Sequence, residues 1–314
     1  MSRADPLSVS ASLTGGLWLG VQRHGERNVV ASQRHHGGLR LLRPLYLDSS
    51  GQPCLTVVNP GGGYVGGDRY ELGVSVGESS SALVTTQSAT KVYRTPGQPV
   101  EQKQRFVVEP DAVLEVVPDP LIAYRDADYV QRTRATVARG GRLVMTDIVT
   151  PGWAPDGSLY QWKSVLLKTV IGRPTGALIA WDTVHMAHGA YRGESLTNFS
   201  VSGDLDPHGF AAERTHLGTL LAVAPELDAD AVEEVHDLLV EYEATVPGSR
   251  GGVTPLAEPR DSAVAAHPQV RETAGLAVRL MGPGTGPLHE LLLDIHAALR
   301  RRWGHKTRLN LRKY

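Results

Sequence analysis

The 314-residue chain contains a single cysteine, Cys54. One thiol closes no intrachain disulfide and builds no cysteine-rich zinc cluster, so a reducing compartment is the simplest reading. Net charge is nearly absent as well, because 32 Lys and Arg stand against 33 Asp and Glu, a formal balance of -1. A chain without a basic field is poorly suited to capture phosphate backbones or acidic lipids, which argues against nucleic acid or membrane as its main partner. No apolar run approaches the roughly 20 residues of a membrane helix. Residues 1–14 lack the basic and then apolar pattern of a secretory leader, so the expected location is cytoplasmic.

Helix signals are scarce too. Hydrophobic residues make up 41% and charged residues 21% of the chain, enough for a sizeable core and against global disorder. From residue 17 to about 183 the chain reads as short β-prone runs punctuated by Gly, Pro, Asp and Asn. Along 69–76, Arg-Tyr-Glu-Leu-Gly-Val-Ser-Val, apolar side chains take alternate positions, which in a strand turns them to one buried face. Similar runs occupy 83–86, 91–94, 104–108, 113–117, 130–137, 143–149, 164–171 and 177–184.

Two helices are predicted late in the chain. In the first, Asp230 is the expected cap with Glu233 three residues on, and Val232, Val235, Leu238, Leu239 and Tyr242 form the apolar stripe. The second is expected to start at Pro287 and to carry Leu288, Leu291, Leu292, Ile295 and Leu299 on one face. Arg300, Arg301 and Arg302 then complement its C-terminal dipole. Between them, residues 247–262 are rich in Pro, Gly and charge and read as a mobile loop. A single domain is expected, β-rich over 15–225 and mixed over 226–314. No fixed-period repeat is visible, which leaves open a solenoid with irregular rungs.

Four features suggest chemistry. Gly61, Gly63 and Gly66 formally satisfy GxGxxG, but a strand rather than a helix follows, and no Gly-Lys-Ser/Thr ends the run, so neither nucleotide fingerprint is met. A tight loop using positive φ is the plain alternative, and it leaves Asp68 as a carboxylate held against backbone. The segment Thr85-Thr86-Gln87-Ser88-Ala89-Thr90-Lys91 places hydroxyls and an amide in an apolar strand, either to line a wet passage or because threonine suits strands. His185 and His188 make an HxxH at a strand end without an adjacent Glu, a poor hydrolytic zinc site. His35, His36, His208 and His216 read as solvated loop residues. Asp147 lies inside an apolar strand, where a charge is costly unless paired; a bridge to a residue such as Lys91 is one reading and a metal stop the other. Asp182 poses the same question.

Taken in order, these segments resemble the UreD (UreH) family of urease accessory proteins. The resemblance rests on Asn59-Pro60-Gly61-Gly62-Gly63-Tyr64-Val65-Gly66-Gly67-Asp68 and on Thr85-Thr86-Gln87-Ser88-Ala89-Thr90-Lys91-Val92-Tyr93-Arg94. It continues through Leu114-Glu115 and Asp147 to Leu217-Gly218-Thr219-Leu220-Leu221 and Val278-Arg279-Leu280. It departs from the family pattern at Gly152-Trp153 and Asp156-Gly157-Ser158. The resemblance implies a mainly β, helically wound, solenoid-like fold with a few helices, mostly toward the C-terminus. It further implies a non-catalytic scaffold and metallochaperone that binds urease apoprotein and UreF, reaches UreG through UreF, and helps deliver nickel to urease. No cofactor would be held stably, nickel(II) passing transiently by Asp68, Asp147 and Asp182, with Thr90 and Lys91 lining the passage. Leu288, Leu292, Ile295, Leu299 and Arg302 match the family's partner-docking end. The alternatives are a β-scaffold hydrolase using Thr86, Thr90 and Lys91, and an interaction module without a metal role.

Overall fold

Runs that alternate apolar and polar residues need a partner for their apolar face, and two stacked sheets provide it. A computed structural model describes residues 13–187, 214–258, 273–304 and 308–311. The first strands are β1 (Gly15–His24), β2 (Arg27–Gly37), β3 (Arg40–Leu41), β4 (Leu45–Tyr46), β5 (Pro53–Val58), β6 (Arg69–Val76), β7 (Ser81–Thr86), β8 (Thr90–Val92) and β9 (Val100–Val108). There follow β10 (Val113–Val116), β11 (Leu121–Ala123), β12 (Asp128–Val137), β13 (Arg142–Val149), β14 (Ser164–Gly172), β15 (Leu178–Ala187) and β16 (His216–Val223). The chain then adds α1 (Ala229–Thr245), β17 (Arg250–Ala257), β18 (Thr273–Gly282) and α2 (Thr285–Arg302).

One sheet has the order β15-β14-β12-β9-β6-β1-β2, and the other runs β17-β18-β16-β13-β10-β7-β5-β3. Between β5 and β14 the chain crosses repeatedly from one sheet to the other. Strands β5, β7, β10 and β13 therefore lie side by side and parallel in one sheet, and β6, β9, β12 and β14 in the other. This is the helical, solenoid-like winding expected, closed at its ends by antiparallel strands such as β2 and β15.

The main core fills the space between the sheets, with Leu17, Leu55, Leu72, Val84, Phe106, Leu114 and Leu143 among its members. A second core lies on the other face of the larger sheet. There Val144 and Ile148 of β13, Leu220 of β16 and Leu276, Val278 and Leu280 of β18 meet the two helices. Strand β16 is buried on both faces, which explains the near-continuous run of small and apolar residues that only Thr219 interrupts after His216.

Several expectations are corrected here. The cap of α1 is Asp228, whose side chain accepts from the Ala231 amide; Asp230 is already inside the first turn. Segment 247–262 is not simply a loop, because β17 pairs with β18 through it. Its glycines misled: a Cβ at Gly251 would meet Leu239 and Leu280 side-chain atoms at 2.7 and 2.9 Å, so glycine there permits close packing of strand and helix. Residues 259–262 lie outside the described residues. His35 and His36 are exposed on β2, and His216 opens β16, so all three are strand residues.

The expected docking face of α2 is also corrected. Leu288, Leu292, Ile295 and Leu299 are 0–2% exposed in the second core, so their side chains hold the helix to its own sheet. Arg302 binds Glu234 at 3.0 Å and Asp228 at 3.2 Å, tying the end of α2 to α1. Arg300 does not face solvent as a dipole complement; it is fully buried. Its Nε donates to Glu115 Oε1 at 3.0 Å, and its Nη2 donates to Gln52 Oε1 at 3.0 Å. The equally buried His296 places Nε2 3.5 Å from Glu115 Oε2.

Removing one partner of a buried ion pair strands the other charge away from water. Arg300→Met should therefore destabilise the fold by about 3–5 kcal/mol, and adding Glu115→Gln should restore part of the loss. Urea denaturation of the two variants tests this, and a single-variant loss below about 1 kcal/mol would contradict it.

Candidate functional site

Glycine conformation builds the outer end of the site. The loop between β5 and β6 turns at Gly62 and Gly67, whose φ values of +76° and +85° disfavour any side chain. Asp68 closes this loop. Its Oδ2 accepts from the Val65 amide at 2.9 Å and the Tyr70 hydroxyl at 3.1 Å, while Oδ1 accepts from the Thr14 hydroxyl at 3.2 Å. Tyr70 in turn stacks on Tyr64, with centroids 3.9 Å apart. Burial pushes the Tyr70 hydroxyl up to about 12, and the Asp68 charge adds to the effect. Among the described residues the loop is followed by a strand, so no helix N-terminus stands here to face a pyrophosphate.

Behind the loop lie two adjoining cavities, each of about 60 Å³. The outer one is lined by Asn59, Gly63, Gln87, Ser88 and Lys91, and both share Leu39, Val57, Tyr64, Thr86 and Thr90. A void of that size admits several waters, since one water needs roughly 10–15 Å³. Gly63 keeps the outer wall thin, because a Cβ there would lie 2.4 Å from the Tyr93 ring.

The inner cavity sits between the two sheets and is polar on the side of the seven-stranded sheet. Gln102 and Gln104 come from β9, and Tyr129 and Gln131 from β12. The Tyr129 hydroxyl is 2.8 Å from Gln102 Oε1 and 2.9 Å from Gln131 Oε1. Burial raises its pKa far above the phenolic value, with Tyr64 and Asp147 adding to the shift, so it stays a neutral donor. From the facing sheet, Thr86 donates to Asp119 Oδ2 at 2.9 Å and accepts the Asp119 amide at 2.8 Å.

Asp147 stands at the inner end. Leu143, Met145 and Val149 of β13 belong to the main core, so the two-residue period turns Asp147 inward with them. Among the described residues its one side-chain hydrogen bond is long, 3.5 Å from Gln131 Nε2. No ion pair reaches it among the described residues; the bridge to Lys91 is not formed, and Lys91 instead lines the outer cavity. Burial pushes the carboxyl from 3.8 up to about 7, opposed by the Gln131 bond, reinforced by the Asp182 charge and opposed again by Arg279. It remains half-buried because its free surface faces the cavity.

Asp182 lies beyond this point and is already engaged. Arg279 forms an ion pair with it and donates to the Thr219 hydroxyl at 2.8 Å, and Thr219 is the register partner of Asp147. The structure thus brings Thr90, Lys91 and Asp147 to one pair of cavities, leaves Asp68 outside their lining and linked to it only through Tyr70 and Tyr64, and leaves Asp182 paired behind Asp147. Among the described residues no group of three or more His, Cys, Asp or Glu side chains comes together to hold a metal. His185 is exposed and 3.2 Å from Ser164, while His188 and His208 lie outside the described residues.

Sequence reading missed Gln102, Gln104, Tyr129 and Gln131. A signal existed in both strands: polar residues fill consecutive positions over 101–105 and 131–134, so one polar set had to face inward.

The raised carboxyl of Asp147 makes stability depend on pH. Below 3.8 the group is protonated in both folded and unfolded chains; between 3.8 and about 7 only the unfolded chain releases the proton. Its contribution therefore declines as pH rises through that window and is lost above it. Asp147→Asn should flatten the decline and be more stable than the native chain at alkaline pH, as read from urea midpoints across the window. Parallel pH profiles would contradict the assignment.

Over residues 13–313 the chain matches the family model of the UreD urease accessory protein. It is 40% identical over 303 residues to urease accessory protein UreD of Actinomyces naeslundii, covering 96% of this chain and 100% of that protein. The same identity over 303 residues relates it to the UreD of Arthrobacter sp. strain FB24, with 96% and 94% covered. UreD of Bacillus sp. strain TB-90 is 30% identical over 301 residues, with 96% and 99% covered. With a family model spanning nearly its whole length and relatives aligned end to end, the chain belongs to the UreD family of urease accessory proteins.

Proposed function

We propose that this urease accessory protein is a non-catalytic cytoplasmic scaffold that binds apo-urease and UreF, reaches UreG through UreF, and gives nickel(II) an internal path toward urease. The observation that carries the reading is the pair of adjoining cavities, of mixed polar and apolar lining, that ends at Asp147, a carboxylate with no ion-pair partner among the described residues.

Nickel here is cargo. A chelating set of Cys and His would hold it tightly, whereas spaced carboxylate, amide and hydroxyl oxygens bind in steps and let go. Asp68, in the loop outside the cavities, would add negative potential near their outer end, Thr90 and the glutamines would replace part of the ion's water shell, and Asp147 would hold it deepest. The ammonium of Lys91 in the outer wall disfavours a resident dication, which suits passage over storage. Asp182 would take part only if Arg279 released it.

The hydrolase alternative is poorly supported by the same cavities. The Thr86 hydroxyl is committed to Asp119, and neither cavity is lined by a histidine or cysteine among the described residues. The interaction module without a metal role is separated from our reading by one substitution. Asp147→Leu, co-expressed with urease and UreF, should still yield the assembled complex while urease emerges with several-fold less nickel by elemental analysis. Full nickel loading with Asp147→Leu would remove the metal path from the proposal.

A further inference from the structure

The near-zero net charge conceals a strongly uneven surface. Along β9, β12 and β14 the inward positions belong to the core or the cavity, as with Phe106, Gln131 and Leu167, so the residues between them point out from the seven-stranded sheet. On that outer face Arg105 lies directly opposite Arg134, and Lys103 opposite Arg132, which is itself opposite Lys168. Neighbouring strands are about 4.8 Å apart and successive outward residues roughly 6.7 Å apart, so these side chains form two adjacent rows of positive charge.

Like charges directly opposite one another destabilise a sheet. Ion pairing within the chain does not relieve them: among the described residues none of the five makes an ion pair. Of the carboxylates on this face, Asp128 is paired with Lys163 at 3.1 Å, while Glu71 and Glu101, at register positions beside Lys103 and Arg69, make no ion pair among the described residues. Lys103, Arg105, Arg132 and Arg134 are exposed. The rows continue into aromatic surface at both sides: Lys168 sits 4.5 Å over Trp181, which is 61% exposed, and Arg34 lies 4.7 Å over Trp18. Beside Arg105 a groove of about 560 Å³ runs past Trp18, Gly20, Gly73 and Val107.

We infer that this outer face, centred on Lys103, Arg105, Arg132, Arg134 and Lys168, docks an acidic surface of the apo-urease partner. Charge complementarity selects the occupant. A rigid, parallel-paired sheet presents its cations at fixed spacing, which matches a folded acidic surface, and exposed Trp181 supplies the kind of aromatic anchor found at protein interfaces. A phosphate polymer would gain nothing from the chain as a whole, whose formal charge of -1 already includes these cations. The inference rests on the reading that this chain binds apo-urease and adds where, and by what force, it does so.

The test uses the full chain with Lys103→Glu, Arg132→Glu and Arg134→Glu combined, and a milder Lys103→Gln, Arg132→Gln form. These side chains touch nothing in the core, so both variants should keep the native circular dichroism and melting behaviour. Binding to purified apo-urease is measured by biolayer interferometry over a salt series. The native chain should bind with an affinity that falls as salt rises, the Glu form should bind at least about tenfold more weakly through slower association, and the Gln form should lie between. Equal affinity of all three for apo-urease would overturn the inference while leaving the proposed function intact. Failure of the native chain itself to bind apo-urease would overturn both. Loss of binding to duplex DNA or to phosphatidylserine vesicles in the Glu form, with apo-urease binding unchanged, would reassign the face and also overturn the inference.

Discussion

Two-residue alternation along strands held in parallel register is the constraint on which the rest of this molecule depends. Because the chain winds between two sheets, each of β6, β9, β12 and β14 shows one face to the interior and one to solvent. A shift of one residue in any of them would exchange the two sets. In β9 and β12 that exchange would carry Phe106 and Ala135 outward and bring Lys103, Arg105, Arg132 and Arg134 into the core. The burial of Phe106 and Tyr129 therefore sets both the polar lining of the cavity and the basic outer face.

The interior holds its polar groups in two different ways. Glu115 and Arg300 bond each other where no solvent reaches, and Gln52 completes the arrangement, so this cluster clamps α2 to the sheet. Asp147 has no such partner among the described residues and faces a cavity of about 60 Å³ instead. A buried ion pair rigidifies, whereas a carboxylate facing a cavity retains the capacity to bind something else. That contrast, more than the presence of acidic residues, separates structural carboxylates from the candidate path.

Much of the architecture was legible in the residues. Run 69–76 matches β6 end to end, and 143–149 and 164–171 fall within a residue of β13 and β14 at each end, because period-two patterning is a local property. The stripe Val235, Leu239 and Tyr242 is the buried side of α1. Errors arose where a residue's role depends on a distant neighbour. Gly251 looked like loop punctuation and is a packing position against Leu239 and Leu280. Arg300 looked like a helix-end cation and is the partner of Glu115, 185 positions away. The stripe of α2 was located correctly and given the wrong occupant, since amphipathicity reveals a face to be covered and is silent about what covers it.

By itself, then, the sequence determined many of the strands though not β17, the apolar face of those it located, their order along the chain, and the family to which they belong, since all of these are written in neighbouring residues. Tertiary structure alone decided that Asp68 is a loop clasp, that Asp182 is tied to Arg279, that Asp147 meets a cavity instead of Lys91, and that five cations from three strands share one surface. The reason is physical: a charge acquires its energy from whatever lies within a few ångströms, and winding a chain between two sheets brings together residues that the linear order keeps far apart.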